Sequence, residues 1–427
     1  MRGPPGGDRQ RTIAIIGAGV SGLTAAHILQ QGAEVTLYEA RPVLGGHADT
    51  HDVISASGRT LTVDTGFIVH NERTYPTLLR LFRELGIATQ DSDMSMSVRC
   101  DGCGLEYAGA QGARGVFARP QSVVNGRYLR MLGEVLRFHR AAKRLLTGGG
   151  LAEPTLAEFL TAGHYSPYFV QHFMTPVVSC VWSCAPETAL HYPARYLFAF
   201  LDNHGMLSVG GSPTWRTVVG GSRSYVEAAA KNLSAVHTAT AVRAVTRVDD
   251  GVEVHDDSDQ LRRYDAAVIA THPDQALRLL GRPTTAQIEV LGAFTYSKNL
   301  TVLHTDTALL PRASGARASW NYRLAACDTQ ADQVLVSYDI NRLQRISAPE
   351  TYVVTLNPGA LVDPARVLDT MDYAHPIYTP TSVAAQQRLP SLNDGVLAFA
   401  GAYHGWGFHE DGARSGLAAA QSLGGEW

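Results

Sequence analysis

Three glycines near the N-terminus have the spacing of a phosphate-binding turn. The segment TIAIIGAGVSGL places Gly17, Gly19 and Gly22 directly after four apolar residues, with Val20 and Ser21 between the last two glycines. In a strand–turn–helix of this kind, the first glycine permits the turn, the second lets a pyrophosphate approach the backbone, and the third lets helix and strand pack closely. The N-terminus of the helix then attracts the phosphates. This spacing predicts a dinucleotide-binding site.

A carboxylate and a second set of small residues indicate which dinucleotide binds. Residues 34–38 read as a second strand that ends at Glu39, whose carboxylate can accept hydrogen bonds from a ribose hydroxyl. Further glycines downstream let the backbone approach a flat or anionic group. NAD does not need these additional glycines, whereas an extended FAD does, so the sequence predicts FAD. The residues expected around FAD in this part of the chain are Ala40, Arg41, Gly45, Gly46, His47, Asp64, Thr65 and Gly66.

The elements that position these residues alternate as in an α/β fold. An Ala/Leu-rich helix over residues 24–30 separates the first two strands, and residues 75–86 have the spacing of an amphipathic helix. Two later stretches, residues 292–311 and 334–357, are strand-rich and predict a second sheet. A strand over residues 396–400 leads to Gly401 in a turn, and a helix is expected to begin near residues 411–412.

These motifs together resemble the flavin-containing amine oxidase superfamily, which includes monoamine oxidases, protoporphyrinogen oxidase and the phytoene desaturases. The resemblance rests on GAGVSGL, Glu39, the pair Gly45-Gly46 four residues after Arg41, and the sequence DTG at 64–66, and it extends over the chain from residue 11 onward. Relatives usually carry Arg or Lys where this chain has His47. Four stretches look closest to a bacterial subgroup of predicted NAD/FAD-binding oxidoreductases, whose genes often lie beside cyclopropane-fatty-acid-synthase-like methyltransferases: VDTGFIVHNERTYPTLLRLFRELG, LDNHGMLSVGGSPTWRTVVGGS, LHTDTALLP and GAYHGWGFHEDGARSGLAAA.

The resemblance implies a two-domain α/β fold, with a Rossmann-like FAD-binding domain and a substrate domain of helices and an antiparallel sheet. The FAD-binding domain is expected to be discontinuous, over residues 11–75, 218–280 and 388–427. The substrate domain is expected over residues 76–217 and 281–387. Residues 1–10, MRGPPGGDRQ, lack an apolar segment and predict a disordered leader, not a signal peptide.

The resemblance also assigns expected positions around FAD. It implies that Val242 lies near the adenine and Gly401 near the ribityl-phosphate, with His409 and Gly412 at the start of a helix aimed at the flavin ring. A helix N-terminus at that point would stabilise negative charge on the reduced ring. In many relatives a lysine reaches flavin N5 through a water molecule, and Lys298 lies near that position; the alternative is a surface lysine. His404 and His409 are candidate bases.

Two segments bear on the substrate. Residues 155–215 are rich in aromatic side chains, as either a cavity wall or an ordinary core would be. The histidines of this segment are expected to be structural. The side chains predicted to line a substrate pocket are Trp182, Trp215, Trp406 and Phe408. Residues 121–146 predict a helix with six basic residues and one acidic residue, which suits either a solvated face or contact with an anionic membrane surface.

Composition excludes several other classes. A formal charge of −3 offers no field to attract nucleic acid. No run of 18 apolar residues is present. We therefore expect a cytoplasmic protein, with peripheral contact to the inner face of the membrane as an option.

Five cysteines include the pair Cys100-x-x-Cys103. This spacing suits redox or zinc chemistry, but a second ligand pair at comparable spacing is missing, so structural thiols and no metal are expected. The oligomeric state stays open.

The motifs and the resemblance are compatible with three functions, which belong to different classes. The first is an FAD-dependent desaturase or dehydrogenase that moves a hydride from an apolar fatty acyl or isoprenoid-like substrate to flavin N5. The second is an amine oxidase using oxygen, for which Tyr403 and Trp406 would have to form an aromatic cage. The third is a redox-neutral flavin isomerase, or a partner of a lipid methyltransferase.

Overall fold

The computed structural model describes residues 10–148, 153–208, 210–327 and 331–427. Apart from residue 10, the predicted leader lies outside the described residues. The strands are β1 (Arg11–Ile16), β2 (Ala33–Tyr38), β3 (Thr50–Ile54), β4 (Thr60–Asp64), β5 (Val69–Asn71), β6 (Thr89–Asp91), β7 (Met96–Cys100), β8 (Glu106–Ala108), β9 (Trp215–Val218), β10 (Ala235–His237), β11 (Val242–Val248), β12 (Gly251–Asp256), β13 (Leu261–Tyr264), β14 (Ala266–Ile269), β15 (Thr295–His304), β16 (Trp320–Leu324), β17 (Val336–Asp339), β18 (Val353–Leu356), β19 (Val367–Ile377) and β20 (Leu397–Phe399).

The helices alternate with the strands in the first part of the chain and cluster in the middle. They are α1 (Val20–Leu29), α2 (Pro76–Glu84), α3 (Gly112–Val116), α4 (Gly126–Thr147), α5 (Leu156–Ala162), α6 (Pro167–Phe169), α7 (Thr175–Trp182), α8 (Pro186–Leu190), α9 (Ala194–Asn203), α10 (Arg223–Ala230), α11 (Pro273–Leu279), α12 (Thr285–Leu291), α13 (Ile340–Gln344), α14 (Pro380–Gln386) and α15 (His409–Ser422). A π-helical turn, Val170–Met174, joins α6 to α7.

A parallel sheet carries the glycine-rich turn. Within the described residues its strand order is β10-β2-β1-β14-β20, and every neighbouring pair is parallel. The last four residues of β1 are buried, as expected for a strand covered on both faces by helices. The strands come from three separated parts of the chain, and the domain boundaries drawn from the sequence stay a prediction.

A second, mostly antiparallel sheet has the order β19-β15-β18-β17-β16-β7-β8 in the described part of the chain. The sequence predicted an antiparallel sheet, and the structure differs at one pair, because β7 and β16 run parallel. These two strands lie more than 200 residues apart in the sequence, so short-range periodicity could not reveal their direction. The helices between β8 and β9 pack against this sheet through an aromatic core that includes Phe138, Phe169 and Phe198.

The bounds of three helices can be compared with the bounds expected from the sequence. The amphipathic helix predicted over 75–86 is α2, and the basic helix predicted over 121–146 is α4, preceded by a single 3-10 turn, Pro120–Val124. The C-terminal helix begins at His409, two residues earlier than expected. Among the described residues, no helix combines the length and the apolar character needed to cross a bilayer.

Candidate active site

A cavity of about 810 Å³ runs from the glycine-rich turn to the aromatic helices. It is lined by residues of both sheets and of the C-terminal segment. Most residues expected around FAD lie on its wall, although they come from positions nearly 400 residues apart. The expected cofactor residues that line it are Gly17, Gly19, Val20, Ser21, Glu39, Ala40, Arg41, Gly45, Gly46, His47, Thr65, Gly66, Val242, Gly401 and His409.

The two glycine segments form one cradle. The backbone N–H of Gly45 donates to the carbonyl of Ala18 at 3.0 Å, and a Cβ on Gly46 would lie 3.2 Å from the Cα of Gly19. Gly45 has φ of +115°, which favours glycine. A Cβ on Gly19 would meet no atom of the described residues within 4 Å, so its cavity side is open. The backbone is therefore bare where a phosphate would approach.

Glu39 is held at the end of β2 by the same turn. Its Oε2 accepts from the N–H of Ala18 and its Oε1 from the N–H of Arg41, both at 2.9 Å. The carboxylate keeps further lone pairs for a ligand. The Arg41 guanidinium pairs with Asp49 at 3.1 Å. This arrangement fits a ribose hydroxyl that binds beside Glu39.

Three expected cofactor residues, Gly22, Asp64 and Gly412, lie outside the cavity wall, and the two glycines among them act through packing. A Cβ on Gly22 would lie 2.0 Å from the carbonyl oxygen of Gly17, so glycine permits α1 to pack on the turn, as the motif predicts. Gly412 serves the crossing of α15 over α1 in the same way, since its Cβ would lie 2.6 Å from a methyl carbon of Val20. These two glycines shape the site without facing it.

Asp64 was expected beside FAD, but its carboxylate points into the protein. It accepts hydrogen bonds from the backbone N–H of Ser222 and from the Gln344 amide, both at 3.0 Å, and from the Thr50 hydroxyl. Burial raises the pKa of Asp64 to about 6, and these donors act against that rise. Asp64 therefore ties β4 to the start of α10 and to α13.

His47 stands where relatives carry a cation, and the structure makes it neutral. Burial lowers the pKa of His47 to about 4, with the nearby His272 as the next cause. Its ring lies 5.1 Å from Tyr373 and 5.4 Å from His375 between centroids. Its Nε2 is buried and has no hydrogen-bond partner among the described residues. That nitrogen is available to a polar atom of a bound cofactor.

His409 begins α15 and faces the cavity. Its ring stacks on Phe67 at 3.6 Å between centroids, and its Nε2 lies 3.1 Å from the Tyr225 hydroxyl. Burial holds the pKa of His409 well below its usual value, so the ring is neutral. The first backbone N–H groups of a helix have no partner within the helix and form a site for negative charge. This end of α15 suits the flavin ring of FAD.

The structure corrects the placement of the two other catalytic candidates. Lys298 is exposed on β15, opposite Ala374, and does not line the cavity. Its neighbour Asn299 is buried, with its amide nitrogen 3.0 Å from Nδ1 of His375. Side chains alternate along a strand, so a shift of one residue exchanges the two faces. His404 is half-buried, but it too lies off the cavity wall.

Three of the four expected substrate-pocket residues line the cavity: Trp182, Trp215 and Phe408. Trp406 does not line it. The carbonyl oxygen of Trp406 instead holds Trp182, because it accepts a hydrogen bond from the Trp182 indole N–H at 2.9 Å. Several apolar residues that the sequence did not single out complete this wall, since they come from distant elements: Tyr75, Met94, Phe200, Met206, Trp320, Tyr338 and Leu356.

His204 also lines this wall, although the sequence indicated a structural histidine. Its Nδ1 lies 3.0 Å from the carbonyl oxygen of Phe200. A carbonyl only accepts, so Nδ1 carries the hydrogen and Nε2 keeps a lone pair. Burial lowers the pKa of His204 to about 4. His204 is thus a neutral ring among Phe200, Trp215 and Phe408.

Comparison with known proteins agrees with this geometry. The model of the family described as flavin containing amine oxidoreductase matches residues 20–361. The chain belongs to this family. It is an FAD-dependent oxidoreductase, and three features fit the cofactor: the bare glycine cradle, the Glu39 carboxylate and the Nε2 of His47, which has no partner among the described residues.

Solved structures show the same fold over nearly the whole chain. Cyclohexylamine oxidase from Brevibacterium oxydans IH-35A is 17% identical, with a TM-score of 0.67 and coverage of 97% of this enzyme and 98% of that chain. A fatty acid isomerase from P. acnes, described as CLA-producing, is 15% identical, with a TM-score of 0.67 and coverage of 97% and 99%. These identities establish the fold alone.

A curated relative is similar in sequence over a shorter stretch. The carotenoid phi-ring synthase of Streptomyces griseus is 33% identical over 108 residues, which is 25% of this enzyme and 19% of that protein. The match thus spans about a fifth of the relative's length.

Proposed function

We propose that this enzyme is a desaturase or dehydrogenase that oxidises an apolar substrate of the fatty acyl or isoprenoid type. The observation that carries the proposal is the continuation of the cofactor cavity into a wall of aromatic and aliphatic side chains, among them Trp182, Phe200 and Trp215. Such a wall, with few polar groups, favours an apolar ligand.

The charged residues of the cavity wall belong to other segments. In the described part of the chain they are Glu39 and Arg41 beside the glycine-rich turn, Arg278 on α11 and Asp372 on β19. The aromatic wall includes instead residues of α7, α9, β9, β16 and β17 and the residues before α15. A charged substrate would have no counter-ion among these side chains, whereas an acyl or isoprenoid chain needs none.

The residues of this wall have separate roles in such a reaction. FAD, when bound beside this wall, would supply the acceptor for the hydride of a substrate C–H bond. The aromatic side chains orient the substrate and exclude water. His204 accepts the proton that leaves the neighbouring carbon, because its Nε2 carries a lone pair.

The amine oxidase alternative has weaker support. It requires Tyr403 and Trp406 as an aromatic cage, yet Trp406 packs behind the wall, with its ring 5.7 Å from Phe200. Cyclohexylamine oxidase is similar to this enzyme in fold only. The names of the carotenoid phi-ring synthase and the fatty acid isomerase refer to apolar substrates, which agrees with the proposal.

We further propose that α4 brings the enzyme to an anionic membrane surface, where an apolar substrate would reside. Its basic residues Arg127, Arg140, Lys143 and Arg144 are exposed. Exposed apolar side chains accompany them: Val124 is 83% exposed and Leu136 46% exposed. Basic and apolar residues side by side are typical of a helix that lies on a bilayer.

Anaerobic reduction of the bound flavin tests the function. The FAD-loaded enzyme would be mixed with vesicles that contain unsaturated fatty acyl phospholipids or a carotenoid, and separately with a panel of amines. We expect the flavin absorbance to bleach with a lipid substrate and an added double bond to appear in the lipid. Bleaching by amines alone would overturn the proposal. Lipid double bonds that move without bleaching would replace it with the isomerase.

A further inference from the structure

Four potential metal ligands meet in one cluster away from the cavity. The Sγ atoms of Cys100, Cys103 and Cys327 and a ring nitrogen of His172 all lie within 4.8 Å of one another. Cys100 ends β7, Cys103 lies in the turn to β8, His172 lies in the π-helical turn, and Cys327 follows β16. None of the four lines the cavity.

Two of the six separations between these ligand atoms match those of a tetrahedral site, and the others lie within 4.8 Å. With Zn–S bonds of about 2.3 Å and a Zn–N bond of about 2.05 Å, tetrahedral angles give about 3.8 Å between two sulfurs and about 3.6 Å between sulfur and nitrogen. The Sγ atoms of Cys100 and Cys327 are 3.7 Å apart, and Sγ of Cys103 lies 3.6 Å from Nε2 of His172. A disulfide bond would require about 2.05 Å between sulfurs.

His172 is oriented as a ligand. Its Nδ1 lies 3.1 Å from the carbonyl oxygen of Tyr168, which can only accept, so Nδ1 carries the hydrogen. The lone pair is therefore on Nε2, the nitrogen that faces Cys103. Metal-binding histidines commonly donate their other N–H in this way. The ring is fully buried and stacks on Tyr168 at 4.0 Å between centroids.

The backbone brings the two strand ends together. The N–H of Asp101 donates to the carbonyl of Leu324 at 2.9 Å, which holds the Cys100–Cys103 turn against the end of β16. A Cβ on Gly102 would lie 2.9 Å from the Cα of Ala326, so only glycine admits this approach. Cys327 is thereby placed beside the turn.

We propose that Cys100, Cys103, His172 and Cys327 bind a zinc ion in a closed, tetrahedral site. Thiolate and imidazole ligands favour zinc over magnesium or calcium, and four protein ligands leave no position for a substrate, as in structural zinc sites. The proposal does not depend on the function proposed above. It replaces the expectation of structural thiols, since the ligands missing from the sequence motif come from distant segments.

The site links two parts of the substrate wall. His172 precedes α7, which carries Trp182, and Cys327 follows β16, which begins at Trp320. Zinc would therefore fix the helical layer to the second sheet. Metal ligation of this kind adds to folding stability, because the unfolded chain has no preformed site.

Metal analysis of untagged enzyme, purified under reducing and anaerobic conditions, tests the proposal. We expect about one zinc ion per chain by mass spectrometry of the metals. Cys103→Ser should lose the zinc; Cys103 is exposed, so its replacement leaves the core packed. His172→Gln should lose it as well. Cys184→Ala, which removes a buried thiol outside the cluster, should keep it.

Cobalt substitution provides a readout that does not depend on a variant's folding. Wild-type enzyme with its zinc exchanged for Co²⁺ should show the visible bands of tetrahedral cobalt with thiolate charge transfer, and removal of zinc should lower the melting temperature while the flavin stays bound. The proposal is wrong if reduced wild-type enzyme contains no zinc and takes up neither ion. A disulfide between cluster cysteines in the anaerobically purified enzyme would also overturn it.

Discussion

The backbone N–H of Gly45 donates to the carbonyl of Ala18 at 3.0 Å, so the second glycine segment is fixed directly on the first. This contact places Gly19 and Gly46 side by side at the cavity wall. The cofactor cradle therefore consists of two backbone segments from different loops, and both present a glycine where the phosphates are expected.

Replacement of Gly19 tests the cradle. Gly19 has φ of −70° and ψ of 176°, an extended conformation that valine accepts, and a Cβ there meets no atom of the described residues within 4 Å. We expect Gly19→Val to fold normally and to purify without the yellow of FAD, because the side chain occupies the phosphate position. Circular dichroism reports the fold and absorbance reports the flavin.

Gly32→Val is the matched control, since Gly32 is exposed after α1 and its Cβ also meets no described atom within 4 Å. This variant should retain FAD. A Gly19→Val enzyme that binds FAD as the wild type does would contradict the position of the phosphates.

Much of the fold and of the cofactor site could be predicted from the sequence, because both depend on short-range signals. The spacing of Gly17, Gly19 and Gly22 and the apolar β1 are read within a dozen residues, and the resemblance supplied the distant Gly401. The remaining features depend on contacts between distant segments. The alternation that exposes Lys298, the inward turn of Asp64 and the position of His204 on the wall have no local signature.

Lys298 is predicted to be dispensable for flavin chemistry. Because the side chain is exposed on β15, Lys298→Met should leave FAD binding and the rate of flavin reduction within about twofold of the wild type, as expected for a surface change. Stopped-flow absorbance with the substrate found in the bleaching screen measures this rate. A fall of tenfold or more would return Lys298 to the list of catalytic candidates.

His204 is predicted to accept the substrate proton. His204→Gln should retain FAD and lower the rate of flavin reduction by roughly 10²- to 10⁴-fold, the usual contribution of a positioned base. Since burial lowers the pKa of His204 to about 4, the wild-type rate should fall only as the pH decreases toward that value. The exposed His191 provides the control variant, His191→Gln, which should behave as the wild type.

Acid sensitivity is expected from His70, which is buried on β5 with both ring nitrogens unpartnered among the described residues. Burial lowers the pKa of His70 to about 4, against about 6.5 for an unfolded chain. Between these values the unfolded state binds more protons, so stability falls as the pH decreases from 6.5 to 4, by about 3 kcal/mol in total for this residue. Above pH 6.5 its effect is absent.

His70→Phe should reduce this loss, since phenylalanine suits the surrounding Phe67, Tyr75 and Phe82 rings and takes up no proton. Urea unfolding at pH 7.5 and pH 5 gives the two free energies of unfolding. The difference between them should be smaller in His70→Phe than in the wild type. An unchanged difference would show that His70 does not contribute.

The basic residues of α4 are predicted to hold the enzyme on an anionic membrane surface. Arg140 and Arg144 are exposed and lie one turn apart, and each basic residue near an anionic surface contributes about 1 kcal/mol of attraction. The double variant Arg140→Glu/Arg144→Glu should therefore lose flotation with vesicles containing anionic phospholipid, and should reduce its flavin normally with a substrate in detergent. Arg282→Glu, an exposed change outside α4, should float as the wild type does. Equal flotation of the double variant and the wild type would exclude α4 as the contact.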